Sequence, residues 1–266
     1  MVDQAKVAVV TGGGRGLGRA MALGLARAGF RVAITAARNR DEIDAVANTA
    51  MPAQIHPVLA DVGSEPACTA LVRQVEDRLG PIDVLVNNAG RGMRYISERF
   101  LSEPSRFWEA DPEVWRMVIH TNVNGPFFMS RAVVPGMISR GWGRIINISV
   151  NYDTTRRRGF SPYGPSKAAL ESETVIWAQD LAGTGTTVNA LLPGGASMTG
   201  MIPDEVPPEV RARLISPEIM VPPLLWLVSN DSSNFTGKRL NASRWDPTLP
   251  ASEATARASE EAGWSS

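Results

Sequence analysis

A tyrosine and a lysine stand four residues apart in the segment SPYGPSK, at Tyr163 and Lys167. In a helix this spacing brings both side chains to one face. A free phenol has a pKa of about 10, which is too high for efficient proton transfer at neutral pH. A neighbouring ammonium favours the phenolate and lowers that pKa. The pair therefore has the chemistry of a general acid or base with its electrostatic partner, although any helix also produces this spacing by chance.

The composition narrows the function classes. The 266 residues include 27 Lys plus Arg and 27 Asp plus Glu, so no net field favours nucleic acid or an anionic membrane. The single cysteine, Cys68, excludes an internal disulfide and suits a reducing compartment. With only His56 and His120 as imidazole ligands, we expect no metal site. The N-terminus lacks a signal-peptide core and no long apolar run follows, which predicts a cytoplasmic protein.

Short β-branched runs alternate with helical stretches along most of the chain. The apolar runs do not alternate with polar residues, which indicates strands buried on both faces. This pattern predicts an α/β fold with a doubly wound parallel sheet. We expect one domain over residues 1–246, and a poorly ordered tail over 247–266 in which Trp264 is the one residue that could dock. The predicted strands are 7–10, 31–35, 55–60, 83–87, 144–149 and 186–192.

A glycine-rich loop, TGGGRGLG (11–18), joins the first strand to the first helix. Gly12, Gly16 and Gly18 lack side chains, so the backbone can turn tightly and approach a pyrophosphate at the helix N-terminus. A flexible turn would look similar in isolation. Its place between a strand and a helix at the start of an α/β chain favours nucleotide binding.

The end of the second strand bears on which dinucleotide binds. A carboxylate there would hold the ribose 2′-hydroxyl of NAD. The chain instead has Ala36 and Ala37, followed by Arg38, with Arg15 in the glycine loop. Guanidinium groups pair well with a phosphate, so we predict NADP (NADPH) as the cofactor. The alternative is that both arginines are simply solvated.

Seven motifs together resemble the short-chain dehydrogenase/reductase family from about Lys6 to Asp246, and the 3-oxoacyl-acyl-carrier-protein reductase-like branch in particular. The resemblance implies a single-domain Rossmann fold with a seven-stranded parallel sheet, usually in a homo-tetramer or homo-dimer. It also implies a substrate-covering lid over about 195–215. The motifs are TGGGRGLG (11–18), DV (61–62), NNAG (87–90), TNVNGPF (121–127), RIINIS (144–149), YGPSK (163–167) and VNALLPGG (188–195).

The resemblance also assigns roles to residues. Tyr163 matches the tyrosine that exchanges a proton with the substrate, Lys167 the lysine beside it, and Asn122 the asparagine of the proton relay. The residues expected at the cofactor are Gly12, Arg15, Gly16, Leu17, Gly18, Arg38, Asp61, Val62, Asn88, Ala89, Gly90, Tyr163, Lys167, Pro193, Gly194 and Thr199.

The chain departs from the family pattern most clearly at position 150, and less so at Thr199, which stands one residue later than the commonest family spacing. The family serine stands 13 residues before the tyrosine, where this chain has Val150, flanked by Ser149 and Asn151. That serine donates a hydrogen bond to the substrate oxygen. Three explanations stay open: Ser149, Asn151 or Ser161 supplies the donor, the substrate needs none, or the enzyme is weakened. We include Ser149 among the candidate catalytic residues.

The predicted activity is hydride transfer between NADPH and a carbonyl or alcohol carbon of a small, apolar or cyclic substrate. Imine or enone reduction on the same scaffold, or a sensor that binds NADP without turnover, are the alternatives. Three consecutive arginines, 156–158, either attract an anionic substrate or form a solvated loop. A long connection over 91–115 either lines an apolar pocket or covers the core and an interface, and carries Met93, Tyr95, Ile96, Phe100, Phe107 and Trp108.

Overall fold

The computed structural model describes residues 5–49, 54–203 and 208–263, and in this part of the chain eight strands form one sheet in the order β3-β2-β1-β4-β5-β6-β7-β8. The first seven strands are parallel, as predicted, and β8 pairs antiparallel with β7. The strands are β1 (Val7–Val10), β2 (Arg31–Ala36), β3 (Ile55–Leu59), β4 (Ile82–Asn87), β5 (Gly143–Ile148), β6 (Thr186–Leu192), β7 (Lys238–Asn241) and β8 (Ser259–Glu261).

Helices connect the parallel strands and cover both faces of the sheet. The α-helices are α1 (Gly16–Arg27), α2 (Arg40–Thr49), α3 (Glu65–Leu79), α4 (Pro112–Ile119), α5 (Gly125–Arg140), α6 (Tyr152–Thr155), α7 (Tyr163–Asp180), α8 (Pro208–Arg211), α9 (Val221–Leu227) and α10 (Ala251–Ala258). A π-helical turn occupies His120–Asn124, and short 3₁₀ turns occupy Met93–Tyr95, Phe107–Glu109, Pro217–Met220 and Ala242–Arg244.

Two apolar cores lie on the two faces of the sheet. Helices α1, α2 and α9 cover one face, and α3, α5 and α7 cover the other. The central strands β1, β4 and β5 bury most of their side chains between these two layers. This arrangement explains the unbroken apolar runs in the sequence, because strands covered on both faces have no solvent side. The fold is the predicted doubly wound α/β fold.

The strand order reverses at β1, whose neighbours are β2 and β4. The two halves of the sheet diverge at this point, and a crevice forms at the carboxyl ends of the strands. The glycine loop follows β1 here, and the NNAG segment follows β4. The fold therefore brings the two predicted cofactor segments to the same edge of the sheet.

The chain over 247–263 contains regular secondary structure, whereas the sequence predicts a poorly ordered tail over 247–266. It forms α10 and then β8, in which Glu261 pairs with Lys238 and Glu260 pairs with Arg239. The same partners form ion pairs, at 2.5 Å between Lys238 Nζ and Glu261 Oε1 and 3.4 Å between Arg239 Nε and Glu260 Oε2. Oppositely charged cross-strand pairs stabilise a sheet edge. The two glutamates of β8 therefore favour its pairing with the basic strand β7.

Two tryptophans lie near the end of the chain. Trp245 packs against Trp226 of its own chain, with ring centroids 5.8 Å apart. Trp264, the residue expected to dock, lies outside the described residues. In the described part of the chain, no helix is both long and apolar enough to span a bilayer.

Candidate active site

The glycine loop has the conformation that its sequence predicts. Gly12 and Gly16 adopt φ values of +65° and +52°, which residues with side chains rarely adopt. Gly18 is required by close approach, because a Cβ there would lie 2.2 Å from the Gly12 carbonyl oxygen. Leu17 packs its side chain against the core below the loop. The backbone N–H groups at the start of α1 are thereby presented to the crevice.

Asn88 holds the glycine loop in place from β4. Its Nδ2 donates to the carbonyl oxygens of Thr11, at 2.8 Å, and Gly12, at 3.0 Å. The Thr11 hydroxyl in turn accepts from the backbone N–H groups of Asn88 and Ala89. The NNAG segment therefore braces the phosphate loop, and Ala89 and Gly90 continue along the crevice floor.

A carboxylate that the sequence analysis did not consider lies beside the glycine loop. Glu42, in the first turn of α2, forms an ion pair of 3.4 Å with the Arg15 guanidinium. Its Cβ would be 3.1 Å from a Cβ at Gly14. Arg38 is exposed at the same end of β2. The site thus contains both predicted guanidiniums, and one of them is paired with an acid.

Asp61 and Val62 follow β3 at the same edge. Asp61 accepts a hydrogen bond from the Gly63 N–H at 3.0 Å, and its carboxylate lies 3.9 Å from the Arg91 guanidinium. Arg91 is buried and donates from Nε to the Thr121 hydroxyl at 2.8 Å. Arg91 was not predicted from the sequence, because a single arginine after NNAG belongs to no motif.

Tyr163 begins helix α7 and packs into a small apolar cluster. Met93, Phe100 and Phe160 form this cluster, with Ile96 at its margin. The apolar surroundings disfavour the phenolate, so burial raises the pKa of Tyr163 to about 12. In the free protein the phenol is therefore protonated at neutral pH and is a proton donor.

Lys167 lies one turn further along α7 and is 4% exposed. Its Nζ donates a hydrogen bond of 2.7 Å to the Ile148 carbonyl at the end of β5. Burial lowers the pKa of Lys167 to about 8, and the Glu171 carboxylate opposes this shift. The ammonium thus stays charged below about pH 8 and lies on the same helix face as Tyr163.

Asn122 lies within the π-helical turn and is fully buried. Its Oδ1 accepts from the Arg91 N–H at 2.8 Å, while Nδ2 donates to the Arg91 carbonyl and the Ser166 hydroxyl, both at 2.9 Å. Asn122 therefore joins the segment after NNAG to the first turn of α7. Such single-turn π insertions occur often at functional sites.

The position of the family serine is apolar in the structure too. Ser149 continues the ladder of β5, donating its N–H to the Leu191 carbonyl at 2.9 Å. Its hydroxyl is buried and has no hydrogen-bond partner within the described residues. Asn151 is occupied, because its Nδ2 donates to the Gly194 carbonyl at 3.0 Å. Among these neighbours of Val150, the Ser149 hydroxyl is the donor that the fold leaves unused.

The predicted lid contacts the cofactor segments, although its residues 204–207 lie outside the described part of the chain. Its base is closed by hydrogen bonds between Met198 and Ile215 and between Ile215 and Ala196. Thr199 lies against Gly16 of the glycine loop, and Met201 lies over Gly92. Pro193 and Gly194 enter this segment from β6, and Gly194 adopts a φ of +89°. Thr199 thus lies at the glycine loop, and its contact with the cofactor stays a prediction, as does that of Gly194.

The connection over 91–115 separates into two parts. Met93, Ile96 and Phe100 pack around Tyr163, whereas Phe107 and Trp108 are 70% and 67% exposed. The first part covers Tyr163, and the second does not belong to the same cluster. Arg156, Arg157 and Arg158 are all exposed.

The arrangement matches a known family. The sequence profile described as short chain dehydrogenase matches residues 6–209. The chain belongs to this family. No group of three potential metal ligands occurs among the residues that the structure describes.

Relatives of known activity share nearly the whole chain. An acetoacetyl-CoA reductase of Shinella zoogloeoides is 36% identical over 249 residues, which cover 89% of this chain and 96% of the relative. The solved actinorhodin polyketide ketoreductase with NADPH is 29% identical with a TM-score of 0.77, covering 91% of this chain and 97% of that one. A 3-ketoacyl-(acyl-carrier-protein) reductase from Brucella melitensis, complexed with NADH, is 28% identical with a TM-score of 0.79, covering 90% and 96%. This short-chain dehydrogenase is therefore an NAD(P)-dependent oxidoreductase of the ketoreductase type.

Proposed function

We propose that the protein is an NADPH-dependent reductase of a ketone group on a small, apolar or cyclic substrate. The observation that carries this proposal is the pair of half-buried Tyr163 and buried Lys167 on one face of α7. The cofactor supplies the hydride chemistry, and the chain supplies orientation and the proton. The phenol of Tyr163 is protonated at neutral pH, so it is ready to donate to an oxygen that gains negative charge.

The residues around the pair have separable tasks. The Lys167 ammonium stabilises the phenolate that Tyr163 becomes after it has given up its proton. Asn122 joins the backbone of Arg91 to α7 through Ser166. By its resemblance to the family asparagine, it would hold a water of the proton relay. Met93, Phe100 and Phe160 cover part of Tyr163, and apolar surroundings strengthen the charge interactions near them. Their apolar surfaces also favour an apolar substrate.

Preference for NADPH rests on Arg15 and Arg38 beside the expected ribose. A 2′-phosphate would replace the Glu42 carboxylate as the partner of Arg15, since phosphate offers the same charge sign and more acceptor oxygens. Glu42 would then rotate away from Arg15. The two guanidiniums at this corner support NADPH.

The function is tested first by following NADPH oxidation against ketones, diketones, quinones, enones and cyclic imines, with NADH in parallel. We expect turnover of a ketone with NADPH, and a kcat/KM for NADH that is lower by at least about tenfold. Arg15→Ala should reduce that preference, and Arg19→Ala, which removes a guanidinium of α1 that acts on Glu218, should not. Equal use of NADH would contradict the NADPH assignment. Turnover of imines or enones alone would replace ketone reduction by the alternative activity, and saturable binding without any turnover would favour a sensor.

The missing serine gives a second test. We propose that the Ser149 hydroxyl supplies the hydrogen bond to the substrate oxygen after a local shift. Ser149→Ala should then lower kcat by about 10²-fold, as is typical for the loss of one such donor. Val150→Ser should change kcat by less than about tenfold, because the donor is already present. A large gain from Val150→Ser with no loss from Ser149→Ala would show instead that the chain is a weakened ketone reductase.

A homo-dimer or homo-tetramer stays a prediction. Helices α5 and α7 each expose large apolar side chains, with Phe127 44%, Ile138 43% and Ile176 52% exposed. Exposed apolar surface on neighbouring helices favours burial against another copy.

A further inference from the structure

The catalytic helix carries a second buried charge. Glu171 lies one turn beyond Lys167 on α7, and it is 2% exposed. Burial of an ionised carboxylate is unfavourable unless an opposite charge lies nearby. Lys167 provides one such charge, because it stands four residues before Glu171 on α7, a spacing that brings two side chains to the same helix face. The Glu171 carboxylate accordingly raises the Lys167 pKa. Neither hydride transfer nor proton transfer by Tyr163 requires a buried carboxylate at position 171.

The second partner of Glu171 is Arg239, which comes from β7 and is 1% exposed. Its Nη1 lies 3.5 Å from Glu171 Oε1, and its Nε lies 3.4 Å from Glu260 Oε2 on β8. Both contacts are ion pairs without hydrogen-bond geometry. The guanidinium also stacks on the Tyr152 ring, 3.8 Å from its centroid. Arg239 is thus held from three sides.

Arg239 also reaches the backbone next to the active site. Its Nη2 donates a hydrogen bond of 2.9 Å to the carbonyl of Val150, the residue at the position of the family serine. The same strand end supplies the Ile148 carbonyl that binds Lys167. One buried arginine therefore connects the segment after β5 to the carboxylate that faces the catalytic lysine.

We propose that Glu171 and Arg239 are positioning residues for the reaction. Glu171 holds the Lys167 ammonium in its charged state at the Ile148 carbonyl, and Arg239 fixes both Glu171 and the Val150 backbone. This inference rests on the proposed function of Tyr163 and Lys167. The charges balance along the row, since Lys167 and Arg239 alternate with Glu171 and Glu260.

The surroundings of Lys167 identify Glu171 as the group to change. On its own helix Lys167 is faced by Tyr163 and Glu171, and β5 contributes the uncharged Ile148 carbonyl. The π-helical turn contributes Asn122, which is uncharged and bonds to the neighbouring Ser166. Arg239 of β7 and Glu260 of β8 lie on the other side of Glu171. Their charges are opposite, so their effects on the Lys167 pKa oppose each other.

The lysine count allows a direct measurement without turnover. The chain has three lysines, Lys6, Lys167 and Lys238, so protein labelled with [6-¹³C]lysine gives three signals whose titration can be followed by NMR. Lys167→Met assigns the signal of interest. In the parent protein Lys167 should titrate near pH 8, which is about the value that its burial imposes. Glu171→Gln should lower this midpoint by at least about one pH unit, because the opposite charge is lost.

The matched control is Glu173→Gln, which makes the same change on the same helix. Glu173 stands two residues beyond Glu171, and residues two apart in a helix do not share a face. The Lys167 midpoint should therefore stay unchanged in this variant. Because Glu173 is itself half-buried, Asp180→Asn, at the exposed end of α7, serves as a second control.

The pH profile of turnover supplies an independent reading. The upper limb of the pH profile of kcat/KM should shift to lower pH in Glu171→Gln by about as much as the NMR midpoint. An unchanged Lys167 midpoint in Glu171→Gln overturns the proposal. The NMR result stands apart from turnover, so an inactive parent protein would sink the proposed function without deciding this inference.

Arg239 is tested separately, and its test does not depend on the folding of Glu171→Gln. Arg239→Met should lower kcat by about tenfold or more while NADPH affinity stays within about threefold, and Arg239→Lys should restore part of kcat. Lys238→Met is the control, because it removes the neighbouring pair with Glu261 but leaves Arg239 in place. A parent-like kcat in Arg239→Met rules out its positioning role, and so does a loss that Arg239→Lys does not relieve.

Discussion

Tyr163→Phe is expected to lower kcat by about 10²–10⁴-fold, the range that general acid–base catalysis contributes. Phenylalanine keeps the ring that packs against Phe100 and Phe160, so the local packing and the fold should remain. The one group lost is the hydroxyl that gives its proton to the substrate. The measurement is NADPH oxidation with the best substrate, together with NADPH affinity from fluorescence, which should change by less than about threefold.

Tyr95→Phe is the matched control. Tyr95 is 48% exposed and lies outside the cluster around Tyr163, so loss of its hydroxyl should leave kcat unchanged. A reduction in kcat of less than about tenfold in Tyr163→Phe would show that the proton comes from another group. The proposed mechanism would then have to be abandoned.

Gly18→Ala is expected to lower NADPH affinity by at least about 100-fold. The added Cβ would lie 2.2 Å from the Gly12 carbonyl oxygen and 2.4 Å from Asn88 Nδ2. Both are parts of the hydrogen bond that braces the glycine loop, so the loop must move away from Asn88. Overpacking of this kind also typically costs about 1–3 kcal/mol of stability. NADPH titration and thermal unfolding measure the two effects.

Gly136→Ala provides the comparison for this variant. Gly136 lies in α5 away from the crevice, and a Cβ there would come within 3.0 Å only of the flexible end of Arg140. Alanine favours a helix over glycine, so stability should be equal or slightly higher and NADPH affinity unchanged. Parent-like NADPH affinity in Gly18→Ala would mean that the glycine loop does not hold the cofactor.

Much of the fold could be predicted from local sequence, because strands buried on both faces contain unbroken runs of apolar and β-branched residues. All six predicted strands are present, and the glycine loop lies between β1 and α1. The strand KRLN of β7 escaped pattern analysis since it is basic and short. Its charges are tolerated only because Glu171, Glu260 and Glu261 come from elsewhere in the chain, and such distant pairing is not visible in a local window. The order of the tail depends on the same partners.

The residues of the candidate site that lie in a contiguous motif were predicted from the sequence. The charged residues whose partners are distant in the chain were not. The four-residue spacing predicted that Tyr163 and Lys167 share a helix face, and the resemblance to the family assigned their roles. Glu42 and Arg91 were not predicted, because they meet their partners Arg15 and Asp61 only in the folded chain. A search for acidic residues at the start of the second helix could have found Glu42. Nothing in the sequence indicates that Arg239 and Glu171 meet.

The addition of β8 has a consequence for how the sheet behaves in solution. An uncovered edge strand offers a row of free N–H and C=O groups on which another chain can add. On one side, the short strand β8 pairs with β7, and its two glutamates form ion pairs with Lys238 and Arg239. On the other side, the edge strand β3 contains Pro57, which has no N–H to offer. The two margins of the sheet are thus guarded against edge-to-edge aggregation by different means, one by charge and one by the loss of a donor.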